Sequence, residues 1–508
     1  MRVCWVYILR MGLGWLLVAG SAWGGSNLLI LIADDVGLDS LPFSSPNAGG
    51  SFPPVPNVAA LAAGGVVFNQ GYAYPTCSPT RAAMLTGRYG FRTGVLSPNS
   101  SDQFSGEEYT FPEAFDDQAL GYAMASFGKW HLGGGSLGPN ELGGWDHFSG
   151  VLGGAVPNFF DWTKVVNGVS VSLVDAYATS EHVDDALAWI GARGETNWVV
   201  WMGFTAAHTP LHKPPVALHG YDDLSGTSAD ISAQPRLYFE AMIEALDSEI
   251  GRLLAGIDTN ETTIVFVGDN GTSSATIEAP YDIARRAKGS LYEGGTHVPF
   301  VIAGADVVAG GRSVDTVVHV ADLFATLIEL GGGRVPSTGV DSRSLVPFLR
   351  NELFGDGDGL VLVESDWLQR GQATGRAVRD ARYKLIEMNQ SVVGFYDLWV
   401  DSLEASNLLG GGLSSEQLVA YARMTNYLEE ASAGRVSPFS MGASVVEGVL
   451  RVEWESEPFR SYSLRAAEVL MGGVFSEVVV SNLPASPPLN AWVVPVGERQ
   501  RFFRVEAE

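Results

Sequence analysis

Residues Leu28–Asp35 read LLILIADD: six apolar residues in succession, then two carboxylates. A strand with one face in water alternates polar and apolar residues. An unbroken apolar run of this length belongs instead to a strand covered on both faces, as in a parallel sheet between layers of helices. Two further runs share the form: Trp198–Phe204 (WVVWMGF) leads toward His208, and Thr262–Val267 (TTIVFV) leads into Asp269-Asn270. Between strands the period changes. Within Leu237–Ile257, Met242, Leu246, Ile250, Leu253 and Ile257 recur at three- and four-residue steps, which makes one apolar helical stripe. Strands alternating with such helices predict an α/β domain on a large, mostly parallel sheet flanked by helices. Ligand sites in open α/β sheets gather beyond the carboxyl ends of the strands, so Asp34, Asp35, His208, Asp269 and Asn270 are expected to converge.

Past Leu349 the pattern shifts. Leu360–Ser365, Gly375–Glu387 and Val392–Leu398 predict a smaller antiparallel sheet, and Ser414–Ala433 a helix. After Gly434, alternating stretches at Val449–Glu455, Ser461–Leu464, Phe475–Val480 and Arg501–Glu506 predict an appended all-β, sandwich-like module. At the other end, Arg2 and Arg10 precede the apolar Gly12–Ala19 and the small-residue stretch from Gly20 to Gly24. That is the form of a secretory signal, too short for a membrane span. The expected organisation is therefore a signal peptide at 1–24, the α/β domain at 25–350, its C-terminal subdomain at 351–434 and the β module at 435–508. Secretion or export to a periplasm follows, with no stable membrane span after cleavage.

With 46% hydrophobic and 17% charged residues, the 508-residue chain has a globular composition. Its 31 Lys+Arg against 57 Asp+Glu, a net charge of −26, exclude a nucleic-acid backbone as main partner. If the first 24 residues leave, Cys4 goes with them and Cys77 remains as the sole cysteine, so no internal disulfide is available. Cys77 precedes Ser78-Pro79, a capping residue and a first-turn proline, and is expected just ahead of a helix N-terminus with Arg81 one turn on. From the residues alone it is either a buried inert thiol or a thiolate nucleophile. Asp34, Asp35, Asp269 and Asn270 offer oxygen donors suited to calcium or magnesium, the plainer alternative being strand-end turns and caps. Lys129 and His131 (GKWHLGG), His208 (AAHTPLHKP) and Lys288 (AKGSLYEGG) add groups that, with Arg81, would clamp an anion and move protons.

These motifs together resemble the type I sulfatases of the alkaline-phosphatase-like superfamily. CSPTR at 77–81, continuing into LTGR at 85–88, is similar to that family's Cys-x-Pro-x-Arg signature. The likeness runs in order through LLILIADDVG, SFGKWHLGG, AAHTPLHKPP, YFEAMIEALDSEIGRLL, TTIVFVGDNGT, KGSLYEGGTHVPFVIAG, VADLFATLIELGG and RAVRDARYKLIE, from about Asn27 to Leu409. The resemblance implies a third state for Cys77, oxidation to formylglycine by a maturation enzyme, with the aldehyde hydrate as nucleophile. It also implies that Asp34, Asp35, Asp269, Asn270 and modified Cys77 hold calcium. Arg81 and Lys129 would hold the formylglycine and its sulfate adduct, and His131 would be the base that releases sulfate. His208 and Lys288 would bind sulfate and help protonate the leaving alcohol. Thr80 stands where serine is commoner, and His297 where a basic residue often follows Thr296.

The resulting expectation is a secreted, calcium-dependent sulfatase acting on sulfated carbohydrates. Two alternatives stand beside it: a phosphodiesterase or phosphonate hydrolase of the same superfamily, and a non-catalytic glycan-binding protein. Substrate contacts are expected from loops 133–156, 211–232 and 272–286, with His212, Lys213 and Arg286 as subsite candidates. The β module is expected to stabilise or attach, with glycan binding as the other option.

Overall fold

The computed structural model describes residues 25–43, 52–336, 340–352, 359–368 and 373–432, together with the backbone of six strands beyond them. The expected signal peptide, residues 1–24, lies outside the described residues. One compact unit comprises Trp23–Arg334 and Ser342–Val436; a second includes Val335–Asp341 and Ser437–Glu508.

The first unit is built on ten strands. They are β1 (Asn27–Ala33), β2 (Val66–Tyr72), β3 (Ala123–Lys129), β4 (His147–Val151), β5 (Trp162–Val166), β6 (Val169–Leu173), β7 (Trp198–Gly203), β8 (Thr262–Gly268), β9 (Phe300–Gly304) and β10 (Arg312–His319). Their order is β10-β2-β9-β8-β1-β7-β3-β4-β5-β6. The centre, β8-β1-β7-β3-β4, is parallel throughout. β9 runs against both its neighbours, and β5 and β6 extend the far edge as antiparallel strands. The sheet is thus mostly parallel, as the apolar runs imply. Both faces of its centre are covered: β7 and β8 are buried along their whole length and β1 everywhere but Asn27.

On one face, Leu29, Leu31, Val200, Met202, Ile264 and Phe266 join a core with Met242, Leu246, Ile250 and Leu253 of the helix Pro235–Ala255. Ile257, the last member of the expected stripe, falls beyond the helix, which stops at Gly256. Register then decides what leaves the sheet together. Ala33 pairs with Gly268 and Ile32 with Gly203, so β1, β7 and β8 end level and Asp34 and Asp269 emerge side by side.

Four antiparallel strands, β11 (Val361–Trp367), β12 (Ala373–Arg379), β13 (Tyr383–Met388) and β14 (Ser391–Asp397), form the smaller sheet, followed by the helix Ser415–Ser432. The stretch Gly375–Glu387, expected as one segment, is two strands. Asp380 breaks it: its Oδ1 accepts from the backbone N–H groups of Arg382 and Tyr383 at 2.8 and 2.6 Å, closing a tight turn. In the second unit, β15 (Met441–Val446), β16 (Val449–Glu455) and β19 (Leu489–Pro495) make one antiparallel sheet. β17 (Ser461–Ala467), β18 (Glu477–Pro484) and β20 (Phe502–Ala507) make another. Two of these six strands, β15 and β19, had no counterpart among the sequence expectations.

Candidate active site

Ten side chains picked out by sequence are drawn together at and around the carboxyl edge of the parallel strands. Asp34 and Asp35 follow β1, Lys129 ends β3, His208 follows β7, and Asp269 and Asn270 follow β8. Cys77 and Arg81 arrive on the helix Cys77–Thr86, all ten of whose residues are buried. Cys77 is the first residue of that helix and Thr76 its N-cap, two positions earlier than the expected cap at Ser78. The reason is that Ser78 does not cap; its hydroxyl donates to the carbonyl of His131 at 2.9 Å. Thr80, the departure from serine, uses its hydroxyl locally, accepting from Tyr74 N and donating to the Thr76 carbonyl.

The charges pair one to one. Lys129 Nζ lies 2.6 Å from Asp34 Oδ2 and Arg81 Nη2 3.0 Å from Asp269 Oδ2, all four groups fully buried. Lys288 Nζ contacts Asp35 Oδ1 and stands 4.0 Å from Cys77 Sγ. A second Arg81 nitrogen donates to the Lys129 carbonyl at 2.6 Å. That guanidinium needs Gly203 beneath it: a Cβ there would come within 2.8 Å of Arg81 Nη1.

Pairing leaves oxygen atoms over. Asp34 Oδ1 and Asn270 Oδ1 are buried and without a hydrogen-bond partner. Asn270 Nδ2 donates to Asp35 Oδ1 at 2.8 Å, which turns the amide so that its oxygen is the spare atom. One ligand atom each from Asp34, Cys77 and Asp269 lies within 4.8 Å of the others, and the same holds for Asp34, Asp35 and His208. A buried oxygen with no donor is costly, and three carboxylates at this spacing repel. A hard divalent cation satisfies both demands, so the donor set fits calcium or magnesium.

The field is correspondingly distorted. Burial, then Asp269, pushes the Asp34 carboxyl up, against Lys129. Burial acts the same way on Asp35, but Lys288 and His208 prevail and hold it below the usual carboxylate range. Burial raises the Cys77 thiol despite Lys129 and Lys288, so the group is no ready thiolate. His131 is held far below its ordinary value by burial, then Lys129, Arg81 and Lys288, and its Nδ1 has no partner. His208 Nδ1 hydrogen-bonds the Thr209 carbonyl at 2.8 Å, which makes Nδ1 the donor and leaves Nε2 for chemistry.

Asp35, His208 and Lys288 open into a cavity of about 830 Å³. Of the three subsite candidates, only Arg286 lines it, and its guanidinium is occupied by the Leu403 and Glu404 carbonyls, both at 2.7 Å. His212 is instead a packing residue, stacked on Phe159 at 4.1 Å, because the loop turns its ring inward. Lys213 staples its loop through the Leu224 carbonyl at 2.6 Å. Arg285 lies in the expected loop 272–286 without having been singled out there; sequence reasoning missed the lining contributed by the small sheet, Trp367, Leu368, Met388 and Val393. No local pattern marks those residues; strand pairing alone brings them to the cavity. His297 stays outside the site, bonded to Glu293 at 2.9 Å and stacked on Tyr72.

A sulfatase family model matches residues 26–333. A sulfatase of Formosa agariphila is 26% identical over 79% of this chain and 88% of its own length. Human arylsulfatase A is 28% identical over 64% of this chain and 67% of its own. Among solved structures, Ps i-CgsB in complex with k-i-k-neocarrahexaose covers 82% of this chain and 94% of its own at 22% identity and a TM-score of 0.67. A protein solved with its substrate D-glucosamine-2-N,6-O-disulfate covers 81% and 98% at 20% identity and a TM-score of 0.63.

Proposed function

Because the chain belongs to the sulfatase family and is a sulfuric ester hydrolase, we propose that it cleaves sulfate esters of carbohydrates, using formylglycine made from Cys77 and a bound calcium ion. The observation that carries the reading is the position of Cys77. Its sulfur sits in a ring of carboxylates and cations, within 4.8 Å of Asp34 and Asp269 oxygens, where an inert apolar thiol has no reason to be. Asp34, Asp35, Asp269, Asn270 and the oxygen at position 77 would hold the cation. When present, the two groups supply an oxygen nucleophile that can be regenerated and charge that stabilises it.

The chain's own residues do the rest. Arg81, tied to Asp269 and to the Lys129 carbonyl, holds the helix start against β3 and β8. Lys129 and Lys288 flank position 77, and Lys288, partly exposed to the cavity, presents its ammonium to the sulfate oxygens. His208 Nε2 offers a proton to the leaving alcohol. His131, kept neutral by burial and then by the surrounding cations, takes a proton at Nδ1 when sulfate must leave, an anion beside it offsetting the cations' share of that effect. Saccharide substrates are supported by the relatives solved with carbohydrates and by an amphipathic cavity larger than one sulfate group. Export through residues 1–24 completes the proposal.

Turnover of an aryl sulfate against an aryl phosphate diester tests the reaction, with preference for the sulfate expected; a clear preference for the diester overturns it. Peptide mass analysis across Tyr74–Arg88 of protein from its native host should show the aldehyde. Intact thiol alone would sink the nucleophile.

A further inference from the structure

The cavity above the site is lined by two unlike sets of residues. The small sheet contributes Trp367, Leu368, Met388 and Val393 to its lining, and the chain after β8 contributes Ser273, Ser274 and Arg285. Four cationic or basic groups line it, and three are committed. Lys288 is paired with Asp35, Arg286 is held by two carbonyls and lies 4.4 Å over the Tyr292 ring, and His208 is bonded to Thr209. Asp35 is the only carboxylate among the described lining residues, and Lys288 and Asn270 hold it.

Arg285 differs. Its side chain is exposed, and among the described residues its guanidinium has no hydrogen bond, ion pair or ring contact. In a chain of net charge −26, an uncommitted guanidinium at the mouth of the reaction cavity has no internal carboxylate to serve. Guanidinium binds planar or tetrahedral oxyanions through paired N–H groups, and it does so with geometry that ammonium lacks. The aromatic and aliphatic residues of the same cavity suit the apolar face of a sugar ring.

We propose that Arg285 is a specificity-determining residue that binds a second anionic group, sulfate or carboxylate, on the saccharide whose sulfate ester is cleaved. Trp367 and its neighbours take the ring face. This inference rests on the carbohydrate-sulfatase reading and narrows it to substrates with at least two negative groups. Lys288 and His208 engage the scissile sulfate, and Arg285 reads the second charge.

Binding by calorimetry to the full chain carrying Cys77→Ser, in calcium buffer, reads the effect without turnover. Three probes are compared: a monosulfated hexosamine, its disulfated form, and a monosulfated disaccharide carrying a uronate. At least one doubly anionic probe should bind about tenfold tighter than the monosulfate, and which one gains tells sulfate from carboxylate. Arg285→Ala should remove that gain, Arg285→Lys should keep part of it, and added salt should shrink it because the group is exposed. Equal binding of all three probes, or a gain that survives Arg285→Ala, overturns the inference alone. Failure of every saccharide to bind, while an aryl sulfate still does, overturns the carbohydrate reading and this inference with it.

Discussion

Two buried charge clusters lie in the same compact unit, and they are built to opposite ends. One is the set around Asp34, Asp35 and Asp269. The other sits where the small sheet meets the large one: Glu293, Glu404, Lys384, Arg379 and Tyr72, with half-buried His297 at its edge. In the second cluster every carboxylate oxygen meets a donor or a cation, although Glu404 Oε1 meets Lys384 as an ion pair without hydrogen-bond geometry. Glu293 Oε1 meets Lys384 at 2.8 Å, and its Oε2 accepts from Tyr72 at 2.6 Å and meets His297 at 2.9 Å. Glu404 takes the Glu293 backbone N–H at 2.7 Å and Lys384 at 3.0 Å. In the first cluster the cations are just as close, yet Asp34 Oδ1 and Asn270 Oδ1 remain unpartnered. Burial with full pairing ties elements together; burial with spare oxygens leaves room for a ligand.

The largest effect that tests this contrast is on catalysis. Cys77→Ser should lower aryl sulfate turnover by about three orders of magnitude or more while leaving the circular dichroism spectrum and unfolding midpoint at wild-type values. If Cys77→Ser unfolds the protein instead, the first cluster is structural after all. Next comes Lys384→Met, which strands two buried glutamates. It should cost about 3–5 kcal/mol in denaturant unfolding, and a loss below 1 kcal/mol would remove the second cluster from any structural role.

Smaller is the effect of Asn270→Ala. Removing a spare oxygen should weaken calcium about 10- to 100-fold, read as a shift in the calcium concentration that raises the unfolding midpoint. Chelator should lower the wild-type midpoint and do less to the variant. Equal calcium responses in both proteins would show that the spare oxygens serve no cation.

Smallest per step of the variable that reads it, a pH unit, is the effect of a buried polar group in neither cluster. His182 is fully buried, both ring nitrogens are unpartnered, and burial lowers its pKa to about 4 from an ordinary 6.5. Between those values the unfolded chain takes up a proton that the folded one refuses. Stability should therefore fall as pH drops from about 6.5 toward 4, by about 1.4 kcal/mol per pH unit, and level off below. His182→Leu should flatten that slope. An unchanged slope would assign the acid sensitivity to other groups.

Much of this was legible in advance because it is local. A run such as LLILIADD carries its own burial and its own strand end, and the helix Pro235–Ala255 follows from a stripe that any reader can count. The sulfatase signature at Cys77 is likewise contiguous. Less legible were pieces whose identity depends on distant chain. Asp380 split one expected segment into two strands through a side-chain turn. Ser78 had every mark of a cap, but a carbonyl 53 positions away claimed its hydroxyl. His212 and Lys213 look like surface cations until Phe159 and the Leu224 carbonyl are seen beside them.

By itself, then, the sequence determined the strand type, the chemistry available at each strand end and the family, since these depend on side-chain pattern within a few residues. Tertiary structure alone decided which oxygens stay spare, which cations are already engaged, and that the small sheet walls the cavity beside Arg285. Those outcomes turn on register and on long-range pairing, where an ångström separates a satisfied charge from one left for a substrate.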